Sequence, residues 1–179
     1  MNTRPCFIVF EGIDGAGKST QCARLYEHIR SMNIPAVKLV EPTDGPWGRA
    51  IRQALRSGRD ISREEQLELF IKDRADDYNL NIRPALENGI TIVMDRYFYS
   101  NAAYQGMEGL APSEIIEMNL SRGFPLPHRV YFVDLPAHAA MERVRSRNGP
   151  DTELFEKESF LDRVRENFLS VADGRFLML

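Results

Sequence analysis

The stretch "FEGIDGAGKST" (10–20) sets Gly12 four residues ahead of Gly17-Lys18-Ser19. That spacing is the P-loop pattern. Glycines let successive backbone N–H groups converge on phosphate oxygens, at the positive end of a following helix. Gly12, Ile13, Asp14, Gly15, Ala16, Gly17, Lys18, Ser19 and Thr20 are therefore the expected cradle of a nucleoside triphosphate. Lys18 can reach the β- and γ-phosphates, and the Ser19 hydroxyl suits Mg²⁺. The metal needs a second protein anchor, usually an aspartate ending a neighbouring apolar strand. "TIVMD" supplies one in Asp95.

A donor cradle leaves the acceptor open, because GTPases, ATPases and small-molecule kinases share it. An acceptor made of base, sugar and phosphate asks for an aromatic face, polar side chains for the base edge and a guanidinium for the phosphate. "DRYFYSNAAYQG" (95–106) offers Arg96, Ser100, Asn101, Tyr104 and Gln105. On a helix Tyr97, Asn101 and Tyr104 fall on one face, at i, i+4 and i+7. Upstream, "LFIKDRADDYNLNIRPAL" places Phe70 and Arg74 four apart, also on one face. On spacing alone that pair fits a core phenylalanine beside a solvated arginine equally well.

The elements that must position these residues read as alternating strands and helices. Apolar runs of strand length recur: "CFIVF" (6–10), "AVKLV" (36–40), "ITIVM" (90–94), "VYFVDL" (130–135) and "RFLML" (175–179). Rich in Val, Ile and Phe, they predict strands buried on both faces. Helical patterns cover Lys18 to about Ser31, Trp47 to Arg56, Ser62 into the eighties, "PSEIIEMNL", "AHAAMERVRSR" and "KESFLDRVRENFLSVA". The alternation implies an α/β chain: a five-stranded parallel sheet flanked by helices on both faces, in one domain.

Composition excludes several classes. A formal charge of −3 advertises neither nucleic acid nor an anionic membrane as partner. No apolar run approaches the roughly 20 residues of a membrane span, and the first residues lack a signal-peptide cleavage site. Cys6 and Cys22 are a poor basis for a disulfide framework, and the histidines at 28, 128 and 138 are scattered. The expected setting is the cytoplasm.

Taken together, "FEGIDGAGKST", "DRADDYNLNIRPALENG", "DRYFYSNAAYQG" and "ERVRSRNGPDTELFEKESFLDRVRENF" resemble the thymidylate kinase family over nearly the whole chain. The resemblance implies a P-loop NTPase fold and phosphoryl transfer from ATP, with Mg²⁺, to dTMP, giving dTDP for nucleotide biosynthesis. By it Phe70 would stack on thymine, with Arg74 and Asn101 at its edge. Arg96 would clamp the acceptor phosphate, Tyr104 would crowd a ribose 2′-hydroxyl, and Asp14 would lie near the 3′-hydroxyl. It also implies a homodimer packed through helices.

The P-loop carries no arginine, and Arg143, Arg145 and Arg147 cluster downstream, so the chain resembles the lid-arginine type. The lid is expected at about 143–156, mobile from Arg147 to about Phe155, with Arg143 and Arg147 serving the transferred phosphate. On an intact helix those two share a face and Arg145 points away. Two departures stand out. Val40 occupies a position where an arginine is usual, with Glu41 and Pro42 retained, and Arg49 or Arg52 is a candidate to compensate. The chain also stops at Leu179, where the family continues: either it is shortened, in which case stability and ATP affinity should both be impaired, or its donor-base pocket is incomplete. "EPTDGPW" keeps a rival open: a deoxynucleoside kinase in which Glu41 is the base for a 5′-hydroxyl. A third reading is a catalytically inactive nucleotide-binding relative. Trp47 fits a pocket wall or the core.

Overall fold

Residues 5–57, 62–106, 109–148 and 154–179 are described by a computed structural model, with side chains at 63, 147, 148 and 154–157 outside that description. Among these residues five strands form one parallel sheet: β1 (Phe7–Glu11), β2 (Ala36–Val40), β3 (Thr91–Asp95), β4 (Arg129–Phe132) and β5 (Phe176–Met178). Their order is β2-β3-β1-β4-β5. The connections carry α1 (Lys18–Ser31), α2 (Pro46–Ser57), α3 (Arg63–Asp77), a π-helical turn (Tyr78–Ile82), α4 (Arg83–Glu87), α5 (Phe98–Gln105), α6 (Pro112–Leu120), α7 (Ala137–Asn148) and α8 (Leu154–Ser170).

Alternation along the central strands sorts their side chains between two cores. Phe7 and Val9 of β1, with Ile92 and Met94 of β3, face a large core shared with α3 to α8. Ile8, Phe10 and Val93 face a smaller one with Cys22, Leu25 and Ile29 of α1. Helices thus cover both faces, as the α/β pattern predicts. Burial on both faces holds for β1 and β3 only: β2 and β5 are the sheet's edges and stay partly exposed. A run of apolar residues specifies a strand without saying which rank it takes. The helical pattern starting at Ser62 runs into the eighties as expected, with a π-helical turn at Tyr78–Ile82 between α3 and α4. No helix among the described residues is long and apolar enough to cross a membrane.

Register brings the two motifs together. Phe10 pairs with Asp95, so the chain leaves β1 and β3 side by side at the same end of the sheet. The Arg96 amide donates to the Phe10 carbonyl at 2.9 Å, which continues the ladder into the turn. Strand ends where the topology reverses direction are where such sheets hold ligands.

Candidate active site

The P-loop wraps the start of α1. Gly17, at φ 106°, is its N-cap residue; no side chain caps the helix and its first turn carries no acid, so its positive end is unneutralised. Gly15, at φ 86°, packs so tightly under α7 that a Cβ would lie 2.3 Å from the Ala140 carbonyl oxygen. The Lys18 ammonium donates to the Ile13 carbonyl at 2.8 Å. Burial and the Arg96 charge push it down to about 8, against the pull of Asp14, Asp95 and Glu11. Ser19 and Thr20 are exposed on the first turn of α1.

A cleft of about 550 Å³ joins this cradle to the end of β3, with Asp14, Lys18, Ser19, Glu41, Asp95 and Arg96 in its lining. Arg96 is its hub. Nη2 donates to Asp14 Oδ1 at 2.5 Å, Nη1 to the Ser100 hydroxyl at 2.8 Å, and the guanidinium lies 5.2 Å from the Tyr104 ring centre. Tyr104 in turn accepts the Asp14 amide at 3.1 Å. Desolvation raises the Asp14 carboxyl, but Arg96 and Lys18 outweigh it and hold the group below its ordinary value. Two loops 82 residues apart are thereby locked to each other.

Tyr97, Asn101 and Tyr104 do not share a helix face. Tyr97 precedes α5 in extended conformation and is buried against Phe7 and Phe98, at 5.1 and 4.5 Å between ring centres. Phe98 and Tyr99 are buried too. The aromatic run is therefore mostly core, and Tyr104 alone of its tyrosines reaches the cradle. Apolar demand from the sheet overrides local spacing here.

Arg74 is not a solvated neighbour of Phe70. Only 1% exposed, it pairs with Glu41, donates through Nη1 to Asn119 Oδ1 at 2.7 Å and lies 5.2 Å from the Tyr97 ring centre. Asn119, fully buried on α6, donates onward to the Ile115 carbonyl at 2.8 Å. Burial pushes Glu41 up to about 8 despite Arg74, aided by Asp77 and Asp73. Asp73, next to Arg74, holds the Thr43 amide at 2.7 Å and its hydroxyl at 2.6 Å, tying the loop after β2 to α3. Asn101 is buried, its amide nitrogen donating to Gln105 at 3.3 Å, while Phe70 is half-buried on α3. Arg74 Nε and Asn101 Oδ1 have no partner among the described residues. Each such buried atom costs about 1–3 kcal/mol until something bonds to it.

Val40 lines the cleft, 53% exposed. Arg49 and Arg52 do not take the place of an arginine there: Arg52 is bound to the Pro42 carbonyl and Asp44, and Arg49 to the Asp44 carbonyl. Trp47 lies outside the buried core, 36% exposed, with the Lys72 ammonium 5.0 Å from its ring centre. Arg143, on unbroken α7, donates to the Ala16 carbonyl at 3.1 Å, directly over the P-loop. Arg145 is exposed. The Arg147 side chain and residues 149–153 of the expected lid lie outside the described residues.

Sequence reasoning passed over Glu11, Asp73 and Asn119. For Asn119 the available signal was a polar residue on an otherwise apolar face, four after Ile115 on α6; Asp73 gave none, because its buried neighbours on α3 include the charged Arg74 and Asp77.

The family model described as thymidylate kinase matches residues 10–179. The chain is 41% identical over 165 residues to the thymidylate kinase of Leptospira borgpetersenii, spanning 92% of this chain and 80% of that protein. It is 39% identical to that of Desulfotalea psychrophila, over 92% and 81% of the two chains. The probable thymidylate kinase of Thermococcus kodakarensis is 42% identical over 176 residues, 93% of this chain and 84% of that one. A P-loop locked through Asp14 to a DRY turn, in a chain matched over this length, leaves one assignment: the protein belongs to the thymidylate kinase family.

Proposed function

We propose that the chain transfers the γ-phosphoryl group of ATP to dTMP, giving ADP and dTDP. The observation that carries this reading is the Asp14–Arg96–Tyr104 junction, which sets an acceptor-side guanidinium beside the phosphate cradle in one cleft. An oxygen of the dTMP phosphate bonds to the γ-phosphorus as the bond to the β–γ bridging oxygen breaks. That oxygen is already anionic and needs no base, so the work is positioning and charge stabilisation. Lys18 and Arg143 offset charge on the transferred group, with Arg147 as a third candidate, and Arg96 aligns the acceptor phosphate.

Ser19 and Asp95 suit Mg²⁺, because hydroxyl and carboxylate oxygens are the donors a hard cation takes. Asp95 Oδ1 is buried without a partner among the described residues, which fits that task. When bound, the metal supplies neutralisation of phosphate charge.

The base edge follows from donors and acceptors. Arg74 Nε can only donate and Asn101 Oδ1 can only accept, a pair that suits the O4 and N3–H of thymine. Cytosine presents the reverse pattern. Phe70 offers a stacking face, Gln105 orients Asn101, and the anchored Tyr104 stands where a ribose 2′-hydroxyl would intrude. Glu41 has a positional task, holding Arg74. The same reading takes the chain as one kinase domain with a lid at about 143–156, acting as a cytoplasmic homodimer.

ADP release measured with dTMP against thymidine tests the acceptor. At least about a hundredfold preference for dTMP in kcat/KM is expected, since Arg96 has no partner on a nucleoside. A preference for thymidine would transfer the assignment to a nucleoside kinase with Glu41 as base.

Lys18 gives a pH dependence. Phosphates bind its protonated form, so ATP binding takes up protons above the free-state value of about 8. Affinity is expected to fall up to about tenfold per unit as pH rises past that value. Calorimetric titration in buffers on either side of it reads the effect; unchanged affinity would remove Lys18 from the donor site.

A further inference from the structure

One carboxylate at the centre of the site takes no part in the chemistry above. Glu11 ends β1 and is fully buried, yet both its oxygens are engaged. Oε1 accepts the Tyr97 amide at 2.8 Å and the Ser100 amide at 3.3 Å, while Oε2 accepts the Ser100 hydroxyl at 2.6 Å. These amides belong to the start of α5, a helix with no capping side chain of its own. Glu11 supplies from a neighbouring strand what an N-cap residue supplies locally, acceptor oxygens at the positive helix end.

The network continues outward. The Ser100 hydroxyl that donates to Glu11 accepts from Arg96 Nη1, and Arg96 Nη2 reaches Asp14. Arg96 also holds φ at 69°, a left-handed conformation rare for a residue with a side chain. Such a backbone persists only where its surroundings over-determine it. The bonds that do so flank it on both sides: its own amide to the Phe10 carbonyl, and the next amide to Glu11.

We infer that Glu11 is a positioning residue for the acceptor phosphate: its carboxylate fixes the turn after β3 and, through Ser100, aims the Arg96 guanidinium into the cleft. The inference rests on Arg96 being the phosphate clamp. It gives a buried acid beside the phosphate cradle a task unrelated to proton transfer.

Glu11→Gln is the first test. The amide keeps one acceptor oxygen for the two backbone donors, but its nitrogen cannot accept the Ser100 hydroxyl, and the charge facing Arg96 is gone. Steady-state kinetics are expected to show KM for dTMP raised about tenfold and KM for ATP raised by much less, the latter because Glu11 also helps keep Lys18 protonated. In an Arg96→Ala background the same substitution should change KM for dTMP no further, because the residue it aims is absent. Equal rises in both KM values, no rise, or a full effect that persists without Arg96 would each overturn the inference. Should Arg96→Ala alone leave KM for dTMP untouched, the clamp reading itself fails, a separate result. If Glu11→Gln does not fold, Ser100→Ala cuts the same link while sparing the Tyr97 amide bond, and the same cycle is read with it.

Discussion

Lys18→Ala is expected to lower kcat about 10³-fold, with the folded protein intact. The lysine is the one ammonium among the described residues inside the P-loop, and it faces the charge that develops on the transferred group. Removing a single neutral donor from such a site costs about 10²–10³ in rate, and a full charge in a cleft of restricted solvent costs at least as much. A factor of 10³ is about 4 kcal/mol of transition-state stabilisation. Lys18→Arg should not rescue it: the ammonium reaches the Ile13 carbonyl from a cradle closed by Gly15 and α7, and a planar fork does not fit a point-charge site.

The loss cannot be put down to unfolding, and the sign of the linkage says why. Burial and Arg96 lower the folded-state value of Lys18 from 10.5 to about 8. Between those values the unfolded chain binds the extra proton, so this group makes stability rise with pH across that window. Below it the buried ammonium is a net burden. Its removal should therefore leave the melting temperature at neutral pH unchanged or slightly higher, while turnover disappears. Single-turnover ADP release together with a thermal melt reads both, and near-normal turnover would overturn the donor assignment.

Much of this arrangement is legible in the sequence because it is local. The boundaries of α1, β2 and α6 follow from apolar periodicity and from Pro112 opening an acidic first turn. The P-loop is legible because backbone geometry demands its glycines. What escaped was set by distance in the chain. Glu11 meets donors 86 and 89 residues away, and Arg74 meets partners 33 and 45 away. No window of sequence contains those pairs. The misjudged face of Tyr97 has the same origin: spacing places it on a helix, but it precedes α5 in extended conformation, packed on Phe7, 90 residues earlier in the chain. Val40 was legible as an anomaly, whereas the commitment of Arg49 and Arg52 to the loop around Asp44 was not.

Arg96→Ala is expected to lower kcat/KM for dTMP about 10²- to 10³-fold while ATP binding stays within about threefold. Truncating a charged partner in a hydrogen-bonded cluster costs about 2–5 kcal/mol, and here one side chain serves Asp14, Ser100 and Tyr104 at once. Part of that loss is the clamp and part is the freed P-loop aspartate, so a second variant must separate side chain from backbone. Arg96→Gly does so. At φ 69° glycine is unstrained and alanine is not, which should make the glycine variant the more stable of the two by about 1 kcal/mol. Both should lose the same activity toward dTMP, because both lack the guanidinium. Arg96→Lys should fall between, keeping charge but losing the fork that spans two partners. If the glycine variant recovered activity along with stability, the left-handed turn and not the guanidinium would be what the acceptor needs, and the phosphate clamp would have to be sought elsewhere in the cleft.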